Sequence, residues 1–107
     1  MTISLGSDSP LFKPGFCFGA ATAAFQIEGA VEHRLECIWD RFCLLDDTIF
    51  DSSNGDVACD HYHLWREDLS LLKSLGVDAY RFSISWPRVL DEAGNLRQEG
   101  VDFYLCL

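Results

Sequence analysis

Three short stretches carry side chains whose types and spacing could do chemistry. Gln26 and Glu28 stand two residues apart in FCFGAATAAFQIEGA (16–30), behind small residues from Gly19 to Ala24 that let backbones approach closely. Polar groups just past a strand end lie where α/β folds keep their ligands. An amide such as Gln26 can both donate and accept, which suits a hydroxyl-rich ligand. Glu28 could serve as a general acid, but carboxylate-based glycosidic chemistry needs a second carboxylate across the scissile bond, and none occupies a suitable position. The residues therefore favour Glu28 as a buried hydrogen-bond anchor for the turn. Arg81 lies between Tyr80 and Phe82 in an apolar run, and burying an arginine is costly unless a carboxylate or phosphate meets it. That partner is either structural or a reacting group.

Asp60, His61 and His63 in DHYH resemble a metal cluster. On a helix, however, residues two apart point in roughly opposite directions and cannot close on one ion, and no third ligand is visible. The expected arrangement is a capping aspartate followed by histidines that satisfy hydrogen bonds at the helix start. The acids of LDDTIFDSSNGD (45–56) lack the oxygen-ligand spacing of an EF-hand. No metal and no cofactor is expected.

The elements that must position these residues follow from periodicity. A short strand from Phe16 to about Thr22 leads into the alanine-rich turn with Gln26 and Glu28. A charged connector, VEHRLEC (31–37), precedes one or two helical turns over 38–44, with Trp39 and Phe42 on one face. From Asp60 to Leu75, Tyr62, Trp65, Leu69 and Leu72 recur at three- and four-residue steps, placing Arg66, Glu67, Asp68 and Lys73 on the wetter side. Asp60 stands at the N-cap and Gly76 at the left-handed C-terminal position. Residues 77–85 alternate as a strand, with Tyr80, Phe82 and Ile84 on one face and Arg81, Ser83 and Ser85 on the other. Trp86-Pro87 ends it, DEAGN (91–95) turns, and a further helix starts at Gln98. Trp39, Trp65 and Trp86 are expected in the core, with Trp86 also placed to offer a stacking face. Strand, helix, strand, helix favours a parallel βαβ unit with a right-handed crossover.

The bulk properties narrow the partners. The 107 residues are 49% hydrophobic and 13% aromatic, which is globular rather than disordered. Seventeen acidic against eight basic residues leave a charge of -9, which repels polyanions, so nucleic acid and anionic membrane are excluded as partners. Five cysteines form no CxxC pair, and the N-terminus has neither a basic start nor the apolar run of a signal peptide. Reduced thiols in a cytoplasmic protein are expected.

Four segments taken together, FCFGAATAAFQIEGA, IWDRF, NGDVACDHYHLWREDLSLLKSLGVDAYRFSISWPRVL and GVDFY, resemble the N-terminal part of glycoside hydrolase family 1 β-glucosidases in order and spacing. The resemblance runs from about Phe16 to Tyr104. It implies an α/β fold, the first two βα units or so of a (β/α)8 TIM barrel, and retaining hydrolysis of β-glucosides and related β-glycosides. Such catalysis uses two glutamates about 5–5.5 Å apart, one as nucleophile and one as acid/base. The family carries them in NEP and ENG motifs, and neither occurs here. By the same resemblance Gln26 binds hydroxyls of the non-reducing sugar, and Arg81 contacts the nucleophilic carboxylate, keeping it ionised and aimed. Glu28 matches a signature position but neither catalytic acid.

Two departures stand out. VEHRLEC is shorter than the family's connector and lacks its glycine and proline, and the final helix reads Leu105, Cys106, Leu107 where the family continues with polar and basic residues. Residues 1–107 are accordingly expected to be an incomplete N-terminal part of the catalytic barrel, inactive by itself and poorly folded, since two strands cannot close a barrel. The competing expectation is a non-catalytic module that binds a sugar through Gln26 or docks on another chain.

Overall fold

The computed structural model describes residues 3–107. Two strands, β1 (Gly19–Ala21) and β2 (Ala79–Arg81), pair in parallel, with Gly19 opposite Ala79, Ala20 opposite Tyr80 and Ala21 opposite Arg81. Five helices accompany them: α1 (Ala24–Ile27), α2 (Ile38–Cys43), α3 (His61–Leu75), α4 (Trp86–Val89) and α5 (Gln98–Cys106). Short 3-10 turns occupy Pro10–Phe12 and Val31–His33.

The 15-residue α3 forms where the apolar period predicts it, and Tyr62, Trp65, Leu69 and Leu72 are the half-buried stripe. Its C-terminus is closed as expected by Gly76 at φ 71°, whose N–H bonds the Lys73 carbonyl. Its N-terminus differs from expectation. Asp60 holds the N-cap position at φ 54°, but its carboxylate accepts from His63 Nδ1 at 2.6 Å instead of capping the backbone. Asp68 also departs from the wet side assigned to it. Seven residues after His61 it shares that residue's face, and it accepts from His61 Nδ1 at 2.5 Å.

Both strands are shorter than the alternation implies. The chain leaves the ladder at Thr22, whose N–H still reaches the Arg81 carbonyl at 3.0 Å, and Ala23 already precedes α1. At the other end the Asp78 carboxylate accepts from the Phe18 N–H at 2.9 Å, and the Phe18 carbonyl accepts from Asp78 N–H at 2.7 Å. Residues 82–85 then run on without a ladder partner, because β1 has already turned away. Pro87 ends the extended run as expected, and it does so inside the first turn of α4, where a missing N–H costs nothing. Turn 91–95 is pinned by the Asp91 carboxylate, which accepts from the N–H groups of Ala93 and Asn95 at 2.9 and 2.8 Å. Helix α5 starts at Gln98, as the sequence predicts.

The centre of the unit is polar and aromatic. Ala24, Ala30 and Phe103 are its buried apolar residues, and Glu28, His61 and Arg88 are buried with them. Two close approaches make this possible. Gly29, at φ 62°, lies so near the Val57 carbonyl that a Cβ would stand 2.0 Å from its oxygen, and a Cβ on Gly100 would stand 2.1 Å from the Arg88 carbonyl oxygen. The tryptophans are not core residues: Trp39 is 51% and Trp86 71% exposed, and Trp65 is half-buried beneath the Arg66 guanidinium. Too few elements surround them to cover such large side chains. The accessible surface of 8128 Å² is about 2000 Å² above the ~6000 Å² of a compact chain of this length.

Candidate functional site

Gln26 and Glu28 belong to one helical turn, and their surroundings are opposite. Helix α1 begins where the Ala24 N–H donates to Ser83 Oγ at 2.8 Å, so the polar face of the second extended segment fastens the start of the turn. Glu28, the α1 C-cap, points inward and is 3% exposed. Its Oε2 accepts from Arg88 Nε at 2.9 Å, and its Oε1 accepts from the Tyr104 hydroxyl. Arg88 Nη2 also donates to the Gly29 carbonyl at 2.9 Å, and its guanidinium lies 4.3 Å over the Tyr62 ring. Tyr104 Oη in turn accepts from the Ser85 N–H at 2.8 Å. Burial pushes the Tyr104 phenol well above its ordinary range, and the hydrogen bond to Glu28 adds to the shift. Glu28 is thus the hydrogen-bond anchor that the sequence favours. With both oxygens engaged inside the protein it is unavailable as a general acid.

Arg88 and Tyr104 are residues that sequence reasoning missed. The signal that could have found Arg88 is the one applied to Arg81, a lone cation in an apolar stretch, here between Pro87 and Val89. Burial falls on the other arginine. Arg88 is 1% exposed, whereas Arg81 is exposed and its guanidinium bonds no side chain among the described residues. The cost that argued for a carboxylate partner of Arg81 does not arise in this chain by itself.

Gln26 is exposed and lines a cavity of about 500 Å³ with Phe25, Trp39, Cys43, Ile49 and Asn54, within the size range of small-molecule sites. A second cavity of about 250 Å³ shares Ala23, Phe25, Trp39 and Gly55 with it and reaches back to Glu28, Arg34 and Ser83. The aromatic wall is held from beneath. Arg34, in the connector, forms a two-pronged pair with Asp40 of α2 at 2.6 and 2.7 Å and lies 5.7 Å from the centre of the Phe25 ring. The Arg34 hydrogen bond holds the Asp40 carboxyl down at about 2. Asp40 also accepts from the Cys37 N–H at 2.7 Å, which orients the first turn of α2 and with it Trp39. Trp39 is therefore a wall of the Gln26 cavity.

Arg81 and Gln26 both stand at the C-terminal ends of the paired strands. Arg81 faces Ala21 in the ladder, and Gln26 follows five residues later. Ligand sites of α/β barrels occupy that edge. His61 and His63 diverge as their spacing requires: His61 is buried against Asp68 and Phe103, and His63 is half-exposed beside Asp60. The third ligand type missing from the sequence reading comes from another element, since His63 meets Glu32 and His33 of the 31–33 turn.

The model of the family described as glycosyl hydrolase family 1 matches residues 9–107. The chain is 51% identical over 96 residues to a beta-glucosidase of Agrobacterium sp., covering 87% of this chain and 21% of the relative. It is 52% identical over 96 residues to beta-glucosidase A of Acetivibrio thermocellus, with the same coverage. Among solved structures it is similar to the beta-glucosidase of Exiguobacterium antarcticum, with a TM-score of 0.82 at 53% identity over 87% of this chain and 21% of that one. The chain spans about a fifth (21%) of the length of these relatives. Its two parallel strands and their helices are a partial α/β fragment of the TIM barrel that these structures share, as the sequence implies.

Proposed function

This chain belongs to glycosyl hydrolase family 1, and we propose that it supplies the non-reducing-sugar half of a retaining β-glucosidase site and turns over nothing by itself. The observation that carries the reading is Gln26, an exposed amide at the strand-end edge, in the wall of a cavity with the Trp39 and Phe25 rings beside it. Apolar ring faces and a donor–acceptor amide are the combination that a sugar's C–H faces and hydroxyls require. Arg81 is the companion group. Exposed at the same edge, its guanidinium is available to a carboxylate contributed from elsewhere in a complete barrel, which it would keep ionised. The substrate class is a neutral β-glucoside or related β-glycoside, in keeping with a charge of -9 that disfavours polyanions. Residues 1–107 are read as part of one barrel domain. The five free cysteines support a reducing, cytoplasmic setting, and no helix among the described residues is long and apolar enough to cross a membrane.

A chimera tests this reading. The matching N-terminal fifth of the Agrobacterium relative is replaced by this chain, and release of nitrophenol from an aryl β-glucoside is followed. The isolated chain is expected to release none and the chimera to be active. In the chimera, Gln26→Ala and Arg81→Ala are each expected to lower kcat/KM about 10- to 100-fold, the loss of one hydrogen bond involving a charged or tightly held group. Turnover by the isolated chain would refute the inactivity, and a chimera indifferent to both substitutions would refute the two roles.

A further inference from the structure

We propose that Glu32, His33 and His63 form a binding site for a divalent transition cation of the zinc class. Each residue offers one ligand atom, and the three lie within 4.8 Å of one another. The spacing that rules out His61 with His63 does not apply here, because the second imidazole comes from the 31–33 turn and not from α3.

Both imidazoles are held in one tautomer. His33 Nδ1 is 2.6 Å from Glu99 Oε1, and His63 Nδ1 is 2.6 Å from Asp60 Oδ1. A carboxylate only accepts, so each Nδ1 donates, and Nε2 is the nitrogen each ring has left to offer a metal. This is the second-shell pattern of metal-binding histidines, in which a carboxylate on one nitrogen orients the ring and makes the other more basic. His33 Nε2 faces the third ligand directly, 3.6 Å from Glu32 Oε1. The His33 ring is fixed further by stacking on Tyr62, 5.1 Å between centres and 22° between planes, and the Tyr62 hydroxyl donates to the same Glu99 oxygen at 2.9 Å.

The site is also open and electrostatically suited. Glu32, Asp60 and His63 line a surface cavity of about 230 Å³ together with Asp56, and it shares no residue with the Gln26 cavity. The carboxylates of Glu32, Asp56, Asp60 and Glu99 around the two rings favour a dication and offset the positive end of α3, near which His63 stands. Two nitrogens and one carboxylate leave a fourth position for water, the donor set that zinc accepts in tetrahedral sites. The order of affinities at such a set favours Zn2+, Ni2+ or Cu2+ over Mg2+ or Ca2+. The proposal does not depend on the sugar reading.

The test titrates the full chain with Co2+ as a spectroscopic probe and with Zn2+ by calorimetry and long-range 1H–15N spectra. One equivalent is expected to bind, with d–d absorption but no thiolate-to-cobalt charge-transfer band from the five cysteines. The His33 and His63 Nε2 resonances are expected to move on adding Zn2+, while that of buried His61 stays. His33→Gln and His63→Gln should each weaken binding tenfold or more, and Glu99→Gln or Asp60→Asn about tenfold through loss of ring orientation. Both histidines are surface residues, with 37% and 49% side-chain exposure, so their replacement should leave the circular dichroism unchanged. Absence of binding, a thiolate band, or affinity unaltered in H33Q or H63Q would each overturn the proposal.

Discussion

Replacing Glu28 and Arg88 together should cost about as much as replacing either one alone. The two side chains are 5% and 0% exposed, and the ion pair between them has no water to fall back on. Glu28→Gln keeps the shape and an acceptor oxygen for Tyr104, but leaves the Arg88 guanidinium buried without a counter-charge, which costs about 3–5 kcal/mol. Arg88→Met strands the carboxylate in the same way and also removes the Gly29 hydrogen bond and the contact with the Tyr62 ring. In the double variant no uncompensated charge remains, so its loss should be close to that of one single variant. A coupling of about 3–5 kcal/mol is expected, well outside the ~0.5 kcal/mol of independent sites. Urea unfolding followed by fluorescence of the three tryptophans reads the cycle. Each single variant approaches the whole stability of a small unit, so exchange of the Ser85 N–H, which donates to Tyr104 Oη, serves as the second measure. Additive losses, or unchanged Ser85 protection in E28Q, would refute the claim that this pair holds the centre together.

Acid should loosen the aromatic wall through Asp40. Its carboxyl titrates at about 2 in the folded chain, below its value of 3.8 when unconstrained, so the unfolded state binds the proton first. Stability from the Arg34 pair is therefore fully present above about pH 4 and is lost as pH falls toward 2, by about 2 kcal/mol. Asp40→Asn should remove that part of the acid dependence, and a stability–pH profile identical to the parent's would count against the pairing. Gly100→Ala tests the packing of α5 on α4. A Cβ 2.1 Å from the Arg88 carbonyl oxygen forces the helices apart, so the urea midpoint should fall by about 1–3 kcal/mol of stability, and an unchanged midpoint would show that α5 does not sit so close.

The elements were legible where local rules act alone. The stripe from Tyr62 to Leu72, the left-handed end at Gly76, the turn held by Asp91 and the start of α5 at Gln98 all depend on neighbours within a few residues, and each lies where periodicity or turn chemistry puts it. The order strand, helix, strand likewise calls for the parallel pairing of the two strands. What escaped was decided by distant partners. Glu28 and Arg88 are 60 positions apart and Glu28 and Tyr104 are 76 apart, so no window of sequence joins them. The rule that buried arginines need partners was sound, but sequence could not tell which arginine is buried. The expectation of core tryptophans failed for a related reason: burial depends on how much surrounding structure reaches a side chain, and here Trp39 and Trp86 remain open.

The buried node bears on the exposed site through helix geometry. Successive residues of a helical turn rotate by about 100°, so Gln26 and Glu28 point about 200° apart. Glu28 retains helical backbone angles, φ -70° and ψ -42°, and both its oxygens are fixed by Arg88 and Tyr104. Turning one inward therefore turns the other outward, toward the cavity walled by Trp39. The cation that neutralises Glu28 also packs on Tyr62, whose other contacts include His33 and Glu99, so one aromatic ring links the anchor of the Gln26 turn to the proposed cation site. In this unit the carboxylate that looks catalytic by type, Glu28, is occupied in holding direction. The groups left open at the surface are the Gln26 amide at one cavity, the Arg81 guanidinium at the strand ends and the His63 imidazole at another cavity.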